Sequence, residues 1–220
     1  MISIIMLVHN APQYVKISIE SLVKKTRNKN YELIVIDNAS NIKTQKLLFY
    51  YKSKGYITKL FYSNKNLLYA RGNNIGSELC SSSSRYILLL NSDIEILDGA
   101  WLDKLISALW NGEGAASLGV CLKPPLRADG FCFLIQKDIY MQFKLDENFE
   151  WWWSLTKLQA QMLENGYPVV AVKDYHTLIR HFKGASGNAW KNAKGMDISR
   201  DTVLSWFPSD KSIKVIDILK

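Results

Sequence analysis

The sequence predicts an α/β fold in which a mostly parallel, Rossmann-like central sheet is flanked by helices. Short and strongly apolar segments of strand length alternate with segments whose apolar residues recur at helical spacing. This alternation of strand and helix is typical of units whose neighbouring strands run parallel. With 220 residues, the chain is long enough for one substantial domain with its own hydrophobic core.

The first half of the chain supplies four strands and the three helices between them. The predicted strands are Ile2–Val8, Glu32–Asp37, Ile57–Ser63 and Tyr86–Leu90, and the predicted helices are Gln13–Lys25, Ile42–Lys54 and Leu68–Ser82. The first helix has apolar residues at Val15, Ile19 and Leu22, which share one helical face. The fourth strand is apolar at every position, so we expect it to be buried on both faces of the sheet.

The second half is less regular and contains fewer clear elements. The predicted elements are a helix over Trp101–Trp110, a strand over Gly130–Ile135, a helix over Leu155–Asn165 and a strand over Val169–Val172. Gly112–Pro125 contains several glycines and a Pro-Pro pair and is predicted to be rich in loop, and Gly184–Gly195 is predicted to be mobile. The end of the chain, from Thr202, is predicted to form a closing strand, with a partner surface or a weak membrane contact as alternatives.

Charge and cysteine content narrow the setting of the protein. The chain has 28 Lys and Arg against 20 Asp and Glu, a net charge of +8, which suits nucleic acid, an anionic membrane surface, a phosphorylated substrate or a solvated basic surface. Three widely spaced cysteines favour a reduced, cytoplasmic setting over a disulfide framework. The apolar first residues lack a basic leader and end at His9, so they predict a buried strand and not a signal peptide. No run approaches the roughly 20 apolar residues that span a bilayer, which leaves a peripheral membrane contact open.

Polar residues follow each of the four strands of the first half. They are His9 and Asn10, Asp37 and Asn38, Asn64 and Asn66, and Asn91, Ser92 and Asp93. Each group by itself is typical of a turn, because Asn, Ser and Asp favour turns. In a parallel sheet, however, the carboxyl ends of the strands share one edge, and ligands bind there. The four groups together therefore predict a polar binding crevice at this edge.

Four blocks of the sequence, taken in order and with their spacing, resemble one protein family. They are SIIMLVHNAPQYVKISIESL, ELIVIDNASN, NKNLLYARGNNIGSELCSSSSRYILLLNSDIEIL and ADGFCFLIQKDIYMQFKLDENF, with a weaker fifth block, GYPVVAVKDYHTLIRHFKGAS. The blocks are similar to those of the inverting family 2 glycosyltransferases, which use nucleotide sugars and have the GT-A fold. The rhamnosyltransferase-like branch of that family is the most similar, and the resemblance covers about residues 2–186.

The resemblance implies a single GT-A domain over residues 1–220. Residues 1–98 would form the nucleotide-sugar-binding half, residues 99–186 the smaller acceptor half, and residues 187–220 a mobile segment and tail. The implied reaction moves a sugar from a UDP-, dTDP- or GDP-sugar to a hydroxyl of a glycan, a lipid-linked glycan or a protein. A modified DNA base is a less favoured acceptor, because the sequence has no visible motif for reading nucleic acid.

The resemblance also implies a divalent metal, Mn²⁺ or Mg²⁺, that bridges the two phosphates of the donor. Asp93 is the expected ligand, because hard cations prefer oxygen ligands, and its alternative role is a turn or capping carboxylate. The first acidic position of the family's motif is Asn91 here, which we expect to contact sugar or ribose together with Ser92. His181 is the expected further contact to the metal or the diphosphate, with His176 as its competitor.

The nucleotide is expected to lie against the ends of the first two strands and the third helix. The residues implied in binding it are His9, Asn10, Asp37, Asn38, Arg71 and Asn74. The Asp37 carboxylate could accept a hydrogen bond from the base or cap the segment that follows it. Arg71 and Asn74 are three residues apart on one helical face, where Arg71 could contact the diphosphate or lie on the surface.

An inverting transferase needs a carboxylate that removes the proton of the acceptor hydroxyl. The family places an acidic pair at the start of a helix, and the aligned residues of this chain are Ser154 and Leu155. Glu150 is then the first candidate for the base, and Glu147 is the second. The alternative is a degenerate domain that binds a nucleotide sugar or a glycan without transfer.

Trp151, Trp152 and Trp153 form a run that no regular element can point in one direction. Aromatic faces stack on sugar rings, and they equally fill hydrophobic cores. We expect at least one of the three to face an acceptor channel and one or two to be buried.

Overall fold

The predicted α/β architecture is confirmed in a computed structural model, which describes residues 1–184 and 189–218. The strands are β1 (Ile2–Val8), β2 (Tyr31–Asn38), β3 (Lys59–Ser63), β4 (Tyr86–Asn91), β5 (Ile94–Ile96), β6 (Ala115–Leu118), β7 (Val120–Cys121), β8 (Arg127–Ala128), β9 (Cys132–Gln136), β10 (Val169–Val172), β11 (Ile179–His181) and β12 (Lys214–Ile216). The helices are α1 (Pro12–Lys25), α2 (Ile42–Ser53), α3 (Leu68–Glu78), α4 (Trp101–Ser107), α5 (Lys137–Phe143), α6 (Trp152–Glu164) and α7 (Arg200–Leu204).

Eight strands form the central sheet in the order β12-β10-β6-β9-β4-β1-β2-β3. Strand β9 runs antiparallel to both of its neighbours, and all the other neighbouring strands run parallel. Strand β1 lies between β2 and β4, so the order of the strands reverses at β1. This reversal opens a crevice at the carboxyl ends of β1, β2 and β4, which is where open α/β sheets bind their ligands.

Helices cover both faces of this sheet and create two hydrophobic cores. One core contains residues of α1, α2 and α4, and the other contains residues of α3, α5 and α6. Strand β1 contributes Ile4 and Met6 to the first core and Ile5 to the second, because successive side chains of a strand point to opposite faces. A strand that is covered on both faces has to be apolar at every position, which explains the continuous apolar runs of the sequence.

The ends of α1 and α2 follow from local sequence signals. Pro12 occupies the first turn of α1, where its missing N–H costs no intrahelical hydrogen bond, and Lys24 and Lys25 lie in the last turn, where cations favour the helix dipole. Helix α2 begins after Asn41, whose side chain accepts a hydrogen bond from the backbone N–H of Thr44 at 3.0 Å. These signals place the polar ends of β1 and β2 directly before a fixed helix start.

The segment Gly112–Pro125, which is predicted to be rich in loop, also contains the short strands β6 and β7, which the sequence does not predict. Strand β6 has the sequence Ala-Ala-Ser-Leu, whose small residues carry little strand propensity, yet all four residues are fully buried between β9 and β10. Helix α5 had no counterpart in the sequence prediction, and α6 begins at Trp152, before the predicted start at Leu155.

The end of the chain closes the sheet as predicted, because β12 pairs in parallel with β10 at its edge. The predicted mobile segment Gly184–Gly195 lies partly outside the described residues, since residues 185–188 are not described. A 3-10 turn covers Ala189–Asn192. No described helix combines the length and the apolar content that a membrane crossing requires.

Candidate active site

A cavity of about 410 Å³ opens at the carboxyl ends of β1, β2 and β4 and continues toward β8, β9 and α6. The sequence-predicted residues on its wall are His9, Asn38, Asn66, Asn91, Ser92, Asp93, Trp151, Trp152 and His181. Residues from both halves of the chain therefore meet around one space. Its volume lies within the range that is usual for small-molecule sites, about 300–1,000 Å³.

Asp93 and His181 meet on this wall, although they are far apart in sequence. The Oδ1 atom of Asp93 lies 3.3 Å from Nε2 of His181. Strands β5 and β11 pair in antiparallel fashion and place His181 opposite Ile94, and the backbone N–H of Phe182 donates to the Asp93 carbonyl at 2.9 Å. The small β5–β11 ribbon therefore fixes the distance between the carboxylate and the imidazole.

The His181 ring is also held from its face. It stacks on Phe131 with a centroid distance of 4.6 Å and an interplanar angle of 18°. Its Nε2 atom lies 3.4 Å from the amide nitrogen of Asn91, so the same atom can donate to Asp93 when protonated or accept from Asn91 when it is not. An unprotonated Nε2 is the form of imidazole that binds a cation.

Helix α1 holds the loop that carries Asp93. The buried hydroxyl of Ser18 lies 2.8 Å from the carbonyl oxygen of Ser92 and 2.6 Å from that of Ile94, and it accepts from the Ile94 N–H at 3.0 Å. Sequence analysis did not select Ser18, because its importance depends on contacts with residues far along the chain.

The chemistry of this pair fits a divalent cation. Within the described ranges, no three His, Cys, Asp or Glu side chains form a cluster, so the chain offers Asp93 and His181 as a set of two. Cations that act on phosphates commonly use one or two protein carboxylates, with substrate phosphates and water as the other ligands. The pair therefore suits a metal that arrives with a diphosphate.

The wall at the ends of β1 and β2 is polar and internally braced. His9 Nδ1 lies 2.7 Å from the Asn38 carbonyl oxygen and therefore donates to it, and Nε2 accepts from the Asn10 amide at 3.1 Å. Asn10 itself is not on the wall; it has a positive φ of 57° and braces the loop by accepting from the Asn41 N–H at 2.8 Å. These bonds fix the ring of His9 toward the cavity.

Asp37 is buried away from the cavity wall. Its Oδ1 accepts from the Ser40 N–H and its Oδ2 accepts from the Gln45 side chain, both at 3.1 Å. The carboxylate thus holds the turn between β2 and α2, which corresponds to the capping alternative of the sequence analysis.

Two predicted residues of α3 are likewise not on the wall. Arg71 is exposed on the surface of the helix. Asn74 is buried, and its amide donates to the Leu145 carbonyl at 2.9 Å and to Glu147 at 3.0 Å, while its oxygen accepts from the Tyr140 hydroxyl at 3.0 Å. Asn74 thus joins α3 to the chain between α5 and α6.

Both candidate bases also lie off the wall. Glu147 accepts the hydrogen bond from Asn74, and the Oε2 atom of Glu150 accepts from the Lys194 N–H at 2.7 Å. At the position of the family's acidic pair, Ser154 is fully buried and Leu155 is 3% exposed. Neither the two candidate bases nor the residues at the position of the family's acidic pair therefore supply a carboxylate to the cavity wall.

The tryptophan run divides between two roles. Trp151 and Trp152 line the cavity, and Trp152 is 40% exposed. Trp153 lies off the wall beneath the guanidinium of Arg127, at 5.2 Å from ring centroid to Cζ, and its buried Nε1 has no hydrogen-bond partner among the described residues. Two adjacent rings at the start of α6 therefore give the cavity an aromatic side.

Sequence analysis missed Asp129 and Gln159, which also line the cavity. Gln159 makes two hydrogen bonds to the backbone of Ala128, at 2.8 Å and 3.0 Å. Asp129 precedes β9, and because β9 is antiparallel, its amino end lies at the edge where the parallel strands have their carboxyl ends. The sequence signal for Asp129 is the Ala-Asp-Gly that precedes an apolar strand. This signal indicates a position at the cavity only when the direction of that strand is known.

Comparisons with known proteins agree with this geometry. Residues 3–163 match the family model described as glycosyl transferase family 2. An uncharacterized glycosyltransferase of Haemophilus influenzae is 28% identical over 123 residues, which are 56% of this chain and 37% of that protein. This chain therefore spans well under half of that relative.

Solved structures share the fold at low sequence identity. The mannosyltransferase PcManGT from Pyrobaculum calidifontis, in complex with GDP-Man and Mn²⁺, has a TM-score of 0.63 and 13% identity over 79% of this chain and 55% of its own. Residues 1–349 of S. aureus TarS give a TM-score of 0.65 and 13% identity over 94% of this chain and 70% of that one. With a mostly parallel sheet, a family match over most of its length and these structural likenesses, this chain belongs to glycosyl transferase family 2 and has the GT-A fold.

Proposed function

We propose that this protein transfers a sugar from a nucleotide-diphosphate donor to a hydroxyl acceptor, with inversion at the sugar. The observation that carries the proposal is the pair Asp93 and His181, 3.3 Å apart on the wall of a cavity at the switch point of the sheet. A carboxylate and an imidazole at this edge suit a cation and a diphosphate. The structurally similar mannosyltransferase PcManGT was solved with GDP-Man and Mn²⁺.

The donor is proposed to lie along the wall formed by the ends of β1, β2 and β4. His9 and Asn38 would contact the nucleoside, and Asn91 and Ser92 the sugar or ribose, since all four line the cavity. Asp93 and His181 would hold Mn²⁺ or Mg²⁺, which when bound supplies positive charge that stabilises the departing diphosphate.

The acceptor is proposed to enter beside α6. Trp151 and Trp152 give this side of the cavity aromatic faces that could stack on sugar rings, and Gln159, further along α6, lines the same cavity. A carbohydrate hydroxyl is therefore the favoured acceptor. The net charge of +8 leaves a phosphorylated glycan carrier compatible with the same surface.

The choice of sugar and the location of the protein are further parts of the proposal. The resemblance to the rhamnosyltransferase-like branch supports a hexose or a deoxyhexose as the transferred sugar. Cys80, Cys121 and Cys132 are all free thiols, which suits a reducing compartment such as the cytoplasm.

Thermal unfolding with UDP, dTDP and GDP, each with and without Mn²⁺, tests the donor site. A nucleotide at a hundred times its dissociation constant stabilises the folded state by about 2.7 kcal/mol. For a chain of this size we therefore expect the melting temperature to rise by about 5–10 °C when nucleotide and metal are both present. If no nucleotide changes the melting temperature with or without metal, the donor site proposed here is wrong.

A second candidate function is binding of a nucleotide sugar without transfer. The buried Ser154 and Leu155 favour it, because they occupy the position of the family's acidic pair. Release of nucleoside diphosphate from UDP-glucose, GDP-mannose or dTDP-rhamnose separates the two functions. A transferase releases diphosphate slowly to water, whereas a binding domain is stabilised by the donor and releases none.

A further inference from the structure

We propose that Asp129 is the general base that removes the proton of the acceptor hydroxyl, an inference that rests on the transfer function proposed above. Along the cavity wall of the described chain, the carboxylates are Asp93 and Asp129. Asp93 is engaged with His181 and suits the cation, so Asp129 is the carboxylate that remains for proton transfer.

The position of Asp129 is fixed by its own backbone. Its N–H donates to the Gly119 carbonyl at 3.0 Å, and its carbonyl accepts from the Ser117 hydroxyl at 2.6 Å. Its Oδ1 accepts from the Gly130 N–H at 2.7 Å, which among the described contacts is the one hydrogen bond to this carboxylate. Oδ2 therefore keeps its lone pairs for a substrate proton, on a side chain that is already oriented.

Asp129 takes the place of the family's acidic pair, although its carboxylate comes from the loop before β9 and not from α6. A Cβ atom on Gly130 would lie 2.8 Å from Cδ2 of Leu155, so Leu155 packs directly against the residue that follows Asp129. Where the family's pair would offer a carboxylate from α6, this chain offers Leu155, and the carboxylate comes from the loop before β9. Trp151 and Trp152, at the start of α6, line the same cavity and offer aromatic faces to a sugar acceptor.

The charge of Asp129 acts on the groups around the cavity. Burial, followed by the charge of Asp129, raises the pKa of Tyr69 and of Tyr175. Both tyrosines therefore stay neutral, and neither competes with Asp129 for the acceptor proton.

The proposed step conserves atoms and electrons. The acceptor O–H bond breaks and its proton moves to Asp129 Oδ2, while the acceptor oxygen forms a bond to the anomeric carbon of the sugar. The bond from that carbon to the diphosphate oxygen breaks, and its electron pair leaves with the nucleoside diphosphate. Asp129 then loses its proton to solvent, and nothing is oxidised or reduced.

The test compares Asp129→Asn with the matched control Asp138→Asn, an exposed aspartate of α5 that does not line the cavity. The probes are UDP-glucose, GDP-mannose and dTDP-rhamnose with Mn²⁺, and the readouts are diphosphate release to water and the thermal shift. We expect Asp129→Asn to keep the thermal shift and to lower release by about a hundredfold or more. The amide oxygen of the substituted side chain can still accept from the Gly130 N–H, and Asp129→Ala with added formate provides a second variant in which release should be restored.

Each other result overturns a defined part of the inference. Unchanged release by Asp129→Asn means that Asp129 is not the base while the transfer function stands. Loss of both the shift and release, with the fold intact, assigns Asp129 to donor binding. A wild-type protein that binds donors but releases no diphosphate is a binding domain without a base, and one that does neither contradicts the proposed function itself.

A second, independent observation concerns a basic and aromatic face on α2 and the turn that follows it, for which we propose docking on an anionic membrane surface. Residues 42–56 contain four lysines, all exposed, and neither aspartate nor glutamate. The large apolar and aromatic side chains exposed in this segment are Ile42 (66%), Phe49 (67%), Tyr50 (51%) and Tyr56 (38%). At about 100° per residue, Ile42, Lys46 and Phe49 share one side of α2, opposite the buried Tyr51.

The mixture of exposed rings and lysines favours lipid over protein as the occupant. Aromatic side chains partition into the interface of a bilayer, and each nearby lysine adds about 1 kcal/mol on an anionic surface. A second copy of the chain would bring an equally basic face against this one, which like charges disfavour.

Co-sedimentation with vesicles of phosphatidylcholine, with and without phosphatidylglycerol, tests the docking face. We expect binding to the anionic vesicles alone, weakened by salt, and reduced about tenfold or more by Phe49→Ser combined with Lys46→Glu. The control is Lys16→Glu, which reverses an exposed charge on α1. Equal binding of the double variant overturns the proposal, and so does a dimer in solution that Phe49→Ser dissociates.

Discussion

The two sides of the cavity are built in different ways. The side proposed to bind the donor takes His9, Asn38 and Asp93 from the ends of three adjacent parallel strands. The side proposed to bind the acceptor takes Asp129 from the loop before an antiparallel strand, and Trp151 and Trp152 from the start of α6. The donor side thus depends on the sheet, whereas the acceptor side depends on how a loop and a helix pack together. A diphosphate and a cation impose the same geometry on any donor site, while an acceptor site can change with each substrate.

The largest expected effect comes from breaking the donor side at Asp93. Asp93→Asn removes the anionic oxygen that suits a cation, so the Mn²⁺-dependent part of the nucleotide-induced thermal shift should disappear, and diphosphate release with it. The control is Glu95→Gln in the adjoining strand β5, whose carboxylate pairs with Arg180 at 3.1 Å and does not line the cavity. A full Mn²⁺-dependent shift in Asp93→Asn would mean that the cation binds elsewhere.

The support beneath Asp93 should show the next largest effect. Ser18→Ala leaves the buried Ile94 N–H without its acceptor, which costs about 1–3 kcal/mol of unfolding free energy. Urea denaturation measures this loss. Ser21→Ala is the comparison, because Ser21 accepts from the Ile96 N–H at 3.0 Å but is only half-buried, and its cost should be smaller. Equal costs would indicate that the loop needs no special support at Ser18.

A smaller effect is expected on the acceptor side. Trp152→Ala removes one aromatic face and should weaken the apparent affinity for a glycan acceptor by about 1–2 kcal/mol, with the nucleotide-induced thermal shift unchanged. Steady-state release of diphosphate against glycan concentration gives this affinity. Trp110→Ala is the matched control, since Trp110 is 52% exposed and lies outside the cavity wall. A loss of nucleotide binding in Trp152→Ala would place this ring on the donor side.

The smallest expected effect concerns Glu32, at the other edge of the sheet. Glu32 belongs to a polar cluster at the amino ends of β1 and β2 that has a structural role. Burial raises the pKa of Glu32, but hydrogen bonds from Ser3, Ser81 and Lys59, together with the charge of Lys59, lower it overall. A lowered pKa in the folded state stabilises the protein above the unfolded pKa of about 4.3, and this contribution is lost as pH falls through the folded pKa.

Urea denaturation of the wild type and of Glu32→Gln at several pH values measures this contribution. The wild type should be the more stable at pH 7, and the difference should shrink as the pH falls below about 4. A difference that stays constant with pH would show that Glu32 acts through packing and not through its charge.

The sequence allowed the donor side to be predicted better than the acceptor side. The apolar runs of β1, β2 and β4 fix the parallel strands, and parallel strands bring their polar ends together without further information. Asp93 and His9 could therefore be placed at one edge from sequence alone. Even there, Asp37 shows a limit, because only the fold reveals that Gln45 and Ser40 turn its carboxylate inward.

The proposed acceptor side could not be predicted as well, because it is built from features that leave no periodic pattern in the sequence. Three of the four residues of strand β6 are small, and the strand is stabilised by pairing with β9 and β10 on its two sides. Because β6 was not predicted, the antiparallel direction of β9 could not be inferred from the sequence. The position of Asp129 at the cavity depends on that direction, so it could not be inferred either. The resemblance pointed instead to α6 and to Glu150, whose carboxylate the structure places on the Lys194 backbone.

The β5–β11 ribbon joins two stretches of chain that are distant in sequence and holds one of the two proposed cation ligands at each. A ligand gripped by both groups would restrain the two strands at the same moment. Amide hydrogen exchange in Ile94–Ile96 and in Ile179–His181 should then slow together, by one common factor, when donor and metal are added.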